Sequence, residues 1–184
     1  MRALLILLLA GLPALAPAQS LPEGEHLLAP VPQGFVLGHE GEDATGLLQE
    51  FVPAGERVED WSQMMTVRVL RQIGGTHPVA WHNNLVELLL QVCPTATAQE
   101  VAGGEEQGTP FHLILVGCPA SPATGGEEWF LSKAMGGRDA LYNVQGAWRG
   151  PATEALVTAW AGHLRTVLVC DTRRADAPCP GTGP

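Results

Sequence analysis

Six histidines, the serines Ser62, Ser121 and Ser132, two pairs of adjacent carboxylates and a closing Asp-x-Arg are the groups in this chain with chemistry to offer. His77 and His82 are five residues apart, so they do not share a helix face as an i, i+4 pair of metal ligands would. His26 falls in an N-terminal arm, His39 at a strand end, His112 in a strand and His163 on the last helix, and all six read as surface or capping residues. None of the three serines stands in G-x-S-x-G, and Gly117-Cys118-Pro119 is no nucleophile elbow. Glu105-Glu106 and Glu127-Glu128 sit side by side, and neighbours in an extended chain point to opposite faces, which makes neither an acid/base pair. Gly103-Gly104 and Gly125-Gly126 lack the strand–Gly–Lys–helix setting of a phosphate loop.

Asp171 and Arg173 stand out. With Arg149 they could form the polar rim of a pocket; on the plainer reading Asp171 pairs with Arg173 or Arg149 and fixes the tail. Trp61, Trp129 and Trp148 could line an aromatic groove, although tryptophan is more often core. No catalytic constellation emerges. A hydrolase remains conceivable if His77, His82 and Asp171 converge, since acid–base groups must reach one substrate. The four cysteines, Cys93, Cys118, Cys170 and Cys179, contain no C-x-x-C, which argues against zinc or redox chemistry. No metal or other cofactor is expected.

The elements that must position these groups begin after a secretory leader. Arg2 precedes the apolar run Ala3–Leu12, and Ala16-Pro17-Ala18 is an A-x-A site with cleavage expected before Gln19. The run is shorter than the ~20 residues of a spanning helix, so stable membrane insertion is not expected. The formal charge of −9 becomes one unit more negative when Arg2 is removed, which disfavours nucleic acid and anionic lipid as partners. An even cysteine count after export implies two disulfides. Cys93–Cys118 and Cys170–Cys179 are preferred of the three connectivities, because each pair closes segments expected to be adjacent.

The chain then divides into the leader 1–18, a loosely held arm 19–33, a single α+β domain 34–170 and a Pro-rich, disulfide-pinned tail 171–184. Strands are expected at 34–40, 46–52, 64–71, 98–102, 111–118, 129–135 and 140–148. The third carries a plain period of two, Met65, Val67 and Val69 alternating with Met64, Thr66, Arg68 and Leu70. A first helix follows Pro78 with the apolar stripe Trp81, Leu85, Leu88, Leu89 and Val92, and ends before Pro94. A second runs over 151–169 with the stripe Leu156, Trp160, Leu164 and Val167. On the last strand Tyr142, Val144 and Trp148 share one face, while Asn143 and Gln145 leave the other partly wet. The order βββαββββα predicts an antiparallel sheet of about six strands covered by two amphipathic helices.

That element order looks like the PsbP-like sandwich. In sequence, the chain resembles a family of small secreted bacterial proteins through Glu50, Val52, Pro53, Gly55, Trp61 and Thr66, then Cys93 and Cys118. The likeness continues with Leu141-Tyr142, Trp148-Arg149-Gly150, Cys170-Asp171-Thr172-Arg173 and Pro178-Cys179-Pro180. The resemblance implies export and the two disulfides; it brings no activity and no cofactor. Together these features lead to a periplasmic or secreted domain that binds a protein or envelope component. A small hydrolase and a small-ligand module on the wet sheet face are the alternatives.

Overall fold

The computed structural model describes residues 21–175 and 178–180. The leader and its cleavage site lie outside the described residues. Among the described residues nine strands and two α-helices form in the order β1 (Glu25–Leu28), β2 (Phe35–Asp43), β3 (Gly46–Pro53), β4 (Gln63–Leu70), α1 (Pro78–Val92), β5 (Thr97–Glu106), β6 (Thr109–Cys118), β7 (Glu128–Gly136), β8 (Leu141–Arg149), α2 (Glu154–Arg165) and β9 (Leu168–Asp171). Seven strands make one antiparallel sheet in the order β2-β3-β4-β8-β7-β6-β5, and β1 pairs with β9 in a second, two-stranded sheet. The expected α+β class, its antiparallel sheet and both helices are present. All seven expected strands lie in the main sheet, one more than the sheet of about six they were expected to make.

Two boundaries move. Part of the stretch read as a loose arm is β1, whose Glu25, His26, Leu27 and Leu28 stand opposite Asp171, Cys170, Val169 and Leu168. The last helix is correspondingly shorter. Thr166 closes it, its backbone N–H donating to the His163 and Leu164 carbonyls. Beyond it, Val167 and Val169 belong to a β-branched run that extends readily.

The register sets the faces, because residues opposite each other in a ladder point the same way. Val144 on β8 stands opposite Val67 on β4 and Lys133 on β7, and Lys133 stands opposite Leu113 on β6. One step along, Gln145 stands opposite Thr66 and Ser132, and Ser132 opposite Ile114. Lys133 Nζ donates to the Leu164 and Val167 carbonyls at the end of α2. Ser132 Oγ bonds His82 on α1. The two helices therefore cover opposite faces of the sheet.

The α2 face is the main apolar core, holding Met65, Val67, Leu113, Leu131, Met135, Val144, Trp148, Trp160 and Leu164. A Cβ at Gly146 would overlap the Trp160 indole, so glycine there lets the helix settle on the sheet. Thr153 caps α2, its Oγ1 accepting the Leu156 N–H. His77 caps α1, its Nδ1 accepting the Val79 N–H at 3.3 Å, with Pro78 in the first turn. Disulfides join Cys93 at the end of α1 to Cys118 on β6, and Cys170 on β9 to Cys179. On the loop-entropy account each stabilises the fold by about 2–4 kcal/mol.

Candidate functional site

Beneath α1 a chain of polar side chains crosses the sheet. Glu100 on β5 bonds His112 on β6 (Oε2–Nε2, 3.2 Å), and His112 Nδ1 meets His82 Nδ1 at 2.8 Å. His82 Nε2 reaches Ser132 Oγ on β7 at 3.0 Å. Ser132 also accepts from Asn143 Nδ2 at 2.8 Å and from Gln145 Nε2 at 3.4 Å, both on β8.

A carboxylate only accepts, so His112 must carry its proton on Nε2 and offer a bare Nδ1. His82 then donates from Nδ1 and leaves Nε2 to accept the Ser132 hydroxyl proton. With both rings neutral this is the one proton arrangement that satisfies every contact. Asn143 is oriented by the Lys133 carbonyl, which can only accept from its amide nitrogen, 3.2 Å away. Burial, and next the neighbouring His112, push His82 down to about 3, keeping it neutral in the folded protein.

A hydroxyl donating to a histidine backed by a second histidine and a carboxylate has the connectivity of an activated nucleophile. Its setting does not. Ser132 has no exposed surface and His82 is 1% exposed, so no substrate carbonyl can reach the hydroxyl. A cleft of about 440 Å³ opens beside His82 and His112, walled by Val86, Glu87, Glu100 and Ile114, and Ser132 does not line it. Among the described residues no group of three or more His, Cys, Asp or Glu is placed to hold a metal ion.

The reading of every histidine as a surface or capping residue is corrected here: His82 and His112 are buried. His77 is the cap, and His163 lies edge-on to Trp160 with burial lowering its pKa. The expected apolar stripe of α1 is also corrected. His82, not a leucine, is the deeply buried side chain beyond Pro78, and Leu88 and Val92 are 61% and 59% exposed. The sheet face below carries Thr66, Gln145, Ser132, His112 and Asn143 beside the buried Ile114, Val116 and Ala134, so His82 turns inward to its polar part while Trp81, Leu85 and Leu89 stay half-buried and Asn83, Asn84, Glu87 and Gln91 stay exposed.

Other expected groupings do not assemble. Arg173 grips Asp171 with two bonds of 2.8 and 2.9 Å and reaches Asp139 at 2.8 Å. Arg149 instead bonds Asp60 and lies over the Trp61 ring, 4.9 Å from its centroid. Asp139 precedes β8 and Arg149 is its last residue, so the two lie at opposite ends of a nine-residue strand roughly 27 Å long, and the three polar residues form no common rim. Bonds from the Arg173 guanidinium hold Asp171 down at about 2. Together with Glu25, which accepts the Arg138 and Asp139 N–H groups, this ion pair clamps β1 and β9 onto the β7–β8 turn.

His77, His82 and Asp171 share no hydrogen bond; each belongs to a different cluster. The tryptophans also divide. Trp129 and Trp148 stand opposite each other on the α2 face, where Trp148 is fully buried. Trp61 packs with Val52 and Met64 in a separate cluster. No aromatic groove results.

A groove of about 450 Å³ lies on the α2 face where α2 does not reach, between β1 and strands β3 and β4. Its floor is Leu47, Phe51, Val67 and Val69 with Gln49 among them, its wall Leu27 and Ala29, and its rim Glu25, Arg71 and Asp139. The sequence missed it because its wall, β1, was not foreseen.

No family model and no curated protein sequence matches the chain. A solved structure with the same architecture is the cyanobacterial PsbP (CyanoP) of Synechocystis sp. PCC 6803, at 10% identity and TM-score 0.53 over 79% of this chain and 92% of that chain. LpqN, involved in cell envelope biogenesis of Mycobacterium tuberculosis, aligns at 9% identity and TM-score 0.38 over 80% and 85% of the two chains. The fold is thus a PsbP-like α+β sandwich. At 10% identity, the CyanoP likeness establishes architecture and no role.

Proposed function

We propose that the chain is an exported, non-enzymatic α+β domain that binds a protein or envelope component in the groove between β1 and β3–β4. The groove itself carries the reading: an apolar floor with a charged rim is how binding sites combine affinity with orientation. Export is supported by Arg2 with the apolar run after it, by Ala16-Pro17-Ala18, by the resemblance to small secreted proteins and by two disulfides. Among the described residues no helix is long and apolar enough to cross a membrane.

The test is capture from an envelope extract with the oxidised protein, beside a Leu47→Glu/Val69→Glu variant that puts charge on the floor. Specific partners should be retained by the first and lost by the second, with matching circular dichroism for both. Equal recovery by both proteins, or no specific partner for either, ends the proposal.

A small hydrolase is the second reading, favoured by the 3.0 Å contact between Ser132 and His82. Labelling of Ser132 by a serine-directed phosphonate would replace the binding proposal with this one; the burial of the hydroxyl predicts no labelling.

A further inference from the structure

α1 is tied down unusually for a helix covering a sheet. Its deeply buried residues are Pro78 and His82. Trp81, Leu85, Val86 and Leu89 are half-buried, and the C-terminal end is held covalently through Cys93 and Cys118. The one polar side chain that α1 buries deeply therefore ends in a hydrogen-bond chain in which the nitrogens of both rings and the Ser132 hydroxyl are already matched. An added proton has no place in it. On His112 Nδ1 it would face the His82 N–H across 2.8 Å. On His82 Nε2 it would face the Ser132 hydroxyl, whose oxygen already accepts from two amides. A tautomer shift of His82 only passes the surplus hydrogen along to Ser132.

We propose that the Glu100–His112–His82–Ser132 chain is an acid-sensitive latch: it holds α1 on the sheet at neutral pH and releases the helix, still tethered at Cys93, when protons are added. The groups facing His82 are few. From α1 itself Glu87 lines the same cleft, from β5 comes Glu100, from β6 His112, and from β7 Ser132. On the same sheet face β8 offers the neutral Asn143 and Gln145, β4 offers Arg68 opposite Asn143, and β3 offers Glu50 opposite Thr66. Lys133, though next to Ser132, points to the other face. Glu100 meets the chain only at its outer end, on His112 Nε2, and no carboxylate bonds either Nδ1 or His82 Nε2, so a positive charge added at the centre gains no ion pair there.

The sign follows from proton counting. His82 is held neutral down to about 3 in the folded protein. A released ring takes up a proton near the ordinary histidine value of about 6.5. Between those values the open state binds the extra proton, so acid favours opening and the closed state is fully restored above the upper one. Opening of α1 should rise about tenfold for each pH unit below about 6.5.

Amide hydrogen exchange on the intact oxidised protein tests this between pH 7.5 and 4.5, each amide corrected for its intrinsic rate. Peptides from 78–92 should lose protection about tenfold per pH unit. Peptides from 154–165, over the apolar face, should hold theirs and serve as the internal reference. A His82→Leu/Ser132→Ala variant removes the titrating ring, and its α1 peptides should lose the pH dependence. Protection of α1 that stays flat to pH 4.5, or that falls in step with α2, overturns the latch. So would an unchanged slope in the variant. The wild-type profile decides the matter even if the variant does not fold.

Discussion

Ser132 and Lys133 are neighbours on β7, and each binds a different helix by a different logic. Ser132 points under α1, into a row of histidine, amide and hydroxyl groups that bond one another, with the buried Asn143 Oδ1 left without a partner. Lys133 points under α2, into hydrocarbon, where its ammonium lies 5.0 Å from the Phe111 ring centroid, closes on Glu106 at 2.6 Å, and donates to the carbonyls of Leu164 in the last turn of the helix and of Val167 just beyond it. On the α2 side a lone cation is embedded in a large apolar contact and offsets the negative end of a helix dipole. On the α1 side the half-buried Trp81, Leu85, Val86 and Leu89 share the contact with the polar chain through His82, and a disulfide ties the end of the helix. Hydrophobic burial tolerates small displacements; a chain of matched hydrogen bonds does not. One sheet thus carries a firm face and a conditional one.

The largest expected effect is on the firm face. Trp160 is nearly fully buried on Gly146, with its Nε1 donating to Gln63 at 3.0 Å. Trp160→Ala should cost about 3–5 kcal/mol in urea unfolding, the usual range for removing a buried tryptophan. A loss below about 1 kcal/mol would put α2 on the same footing as α1 and erase the distinction between the faces.

The next pair sharpens it. Lys133→Met keeps the stem and strips the cation from Glu106 and two carbonyls; Ser132→Ala leaves His82 Nε2 without a partner and the Asn143 amide with the Lys133 carbonyl alone. Each should cost about 1–3 kcal/mol, the penalty for orphaning buried polar groups. Their signatures should differ in hydrogen exchange. Ser132→Ala should loosen residues 78–92 and spare α2, while Lys133→Met should loosen the last turn of α2 and spare α1. Identical exchange maps would mean that the sheet transmits both defects equally and that the two faces are one cooperative unit.

This division explains how far the residues alone could be read. Strict alternation in Met64–Leu70 and in Leu141–Trp148 placed the central strands, and proline and glycine bounded them. Both helices announced themselves by spacing. β1 did not: Glu25-His26-Leu27-Leu28 is four residues without alternation, and its reason to extend lies at Leu168–Asp171, more than a hundred positions away. β9 was hidden because Leu164 and Val167 continue the helical period of α2 past its end. On α1 the stripe holds for the half-buried Trp81, Leu85 and Leu89, fails at the exposed Leu88 and Val92, and left out His82; part of the sheet below is polar, and that polarity was visible in Asn143, Gln145 and Ser132. What could not be seen was register. Only the pairing of β6, β7 and β8 brings His112, Ser132 and Asn143 under one helix, and such long-range pairing leaves no local mark.

The smallest expected effect lies on the outer side of α1. Leu88 and Val92 are four residues apart, so they lie together on one strip of the helix, more than half exposed. If their side chains contribute nothing to the folded chain, Leu88→Gln and Val92→Gln should each change stability by less than about 0.5 kcal/mol. Glutamine is close to leucine in helix propensity and better than valine, so neither change perturbs the helix itself. The comparison between faces turns on this small number. A loss of about 2 kcal/mol would be the value for a side chain withdrawn from water. It would mean that α1 is held down by leucine and valine after all, and that the row of histidines beneath it is a filler instead of the fastening.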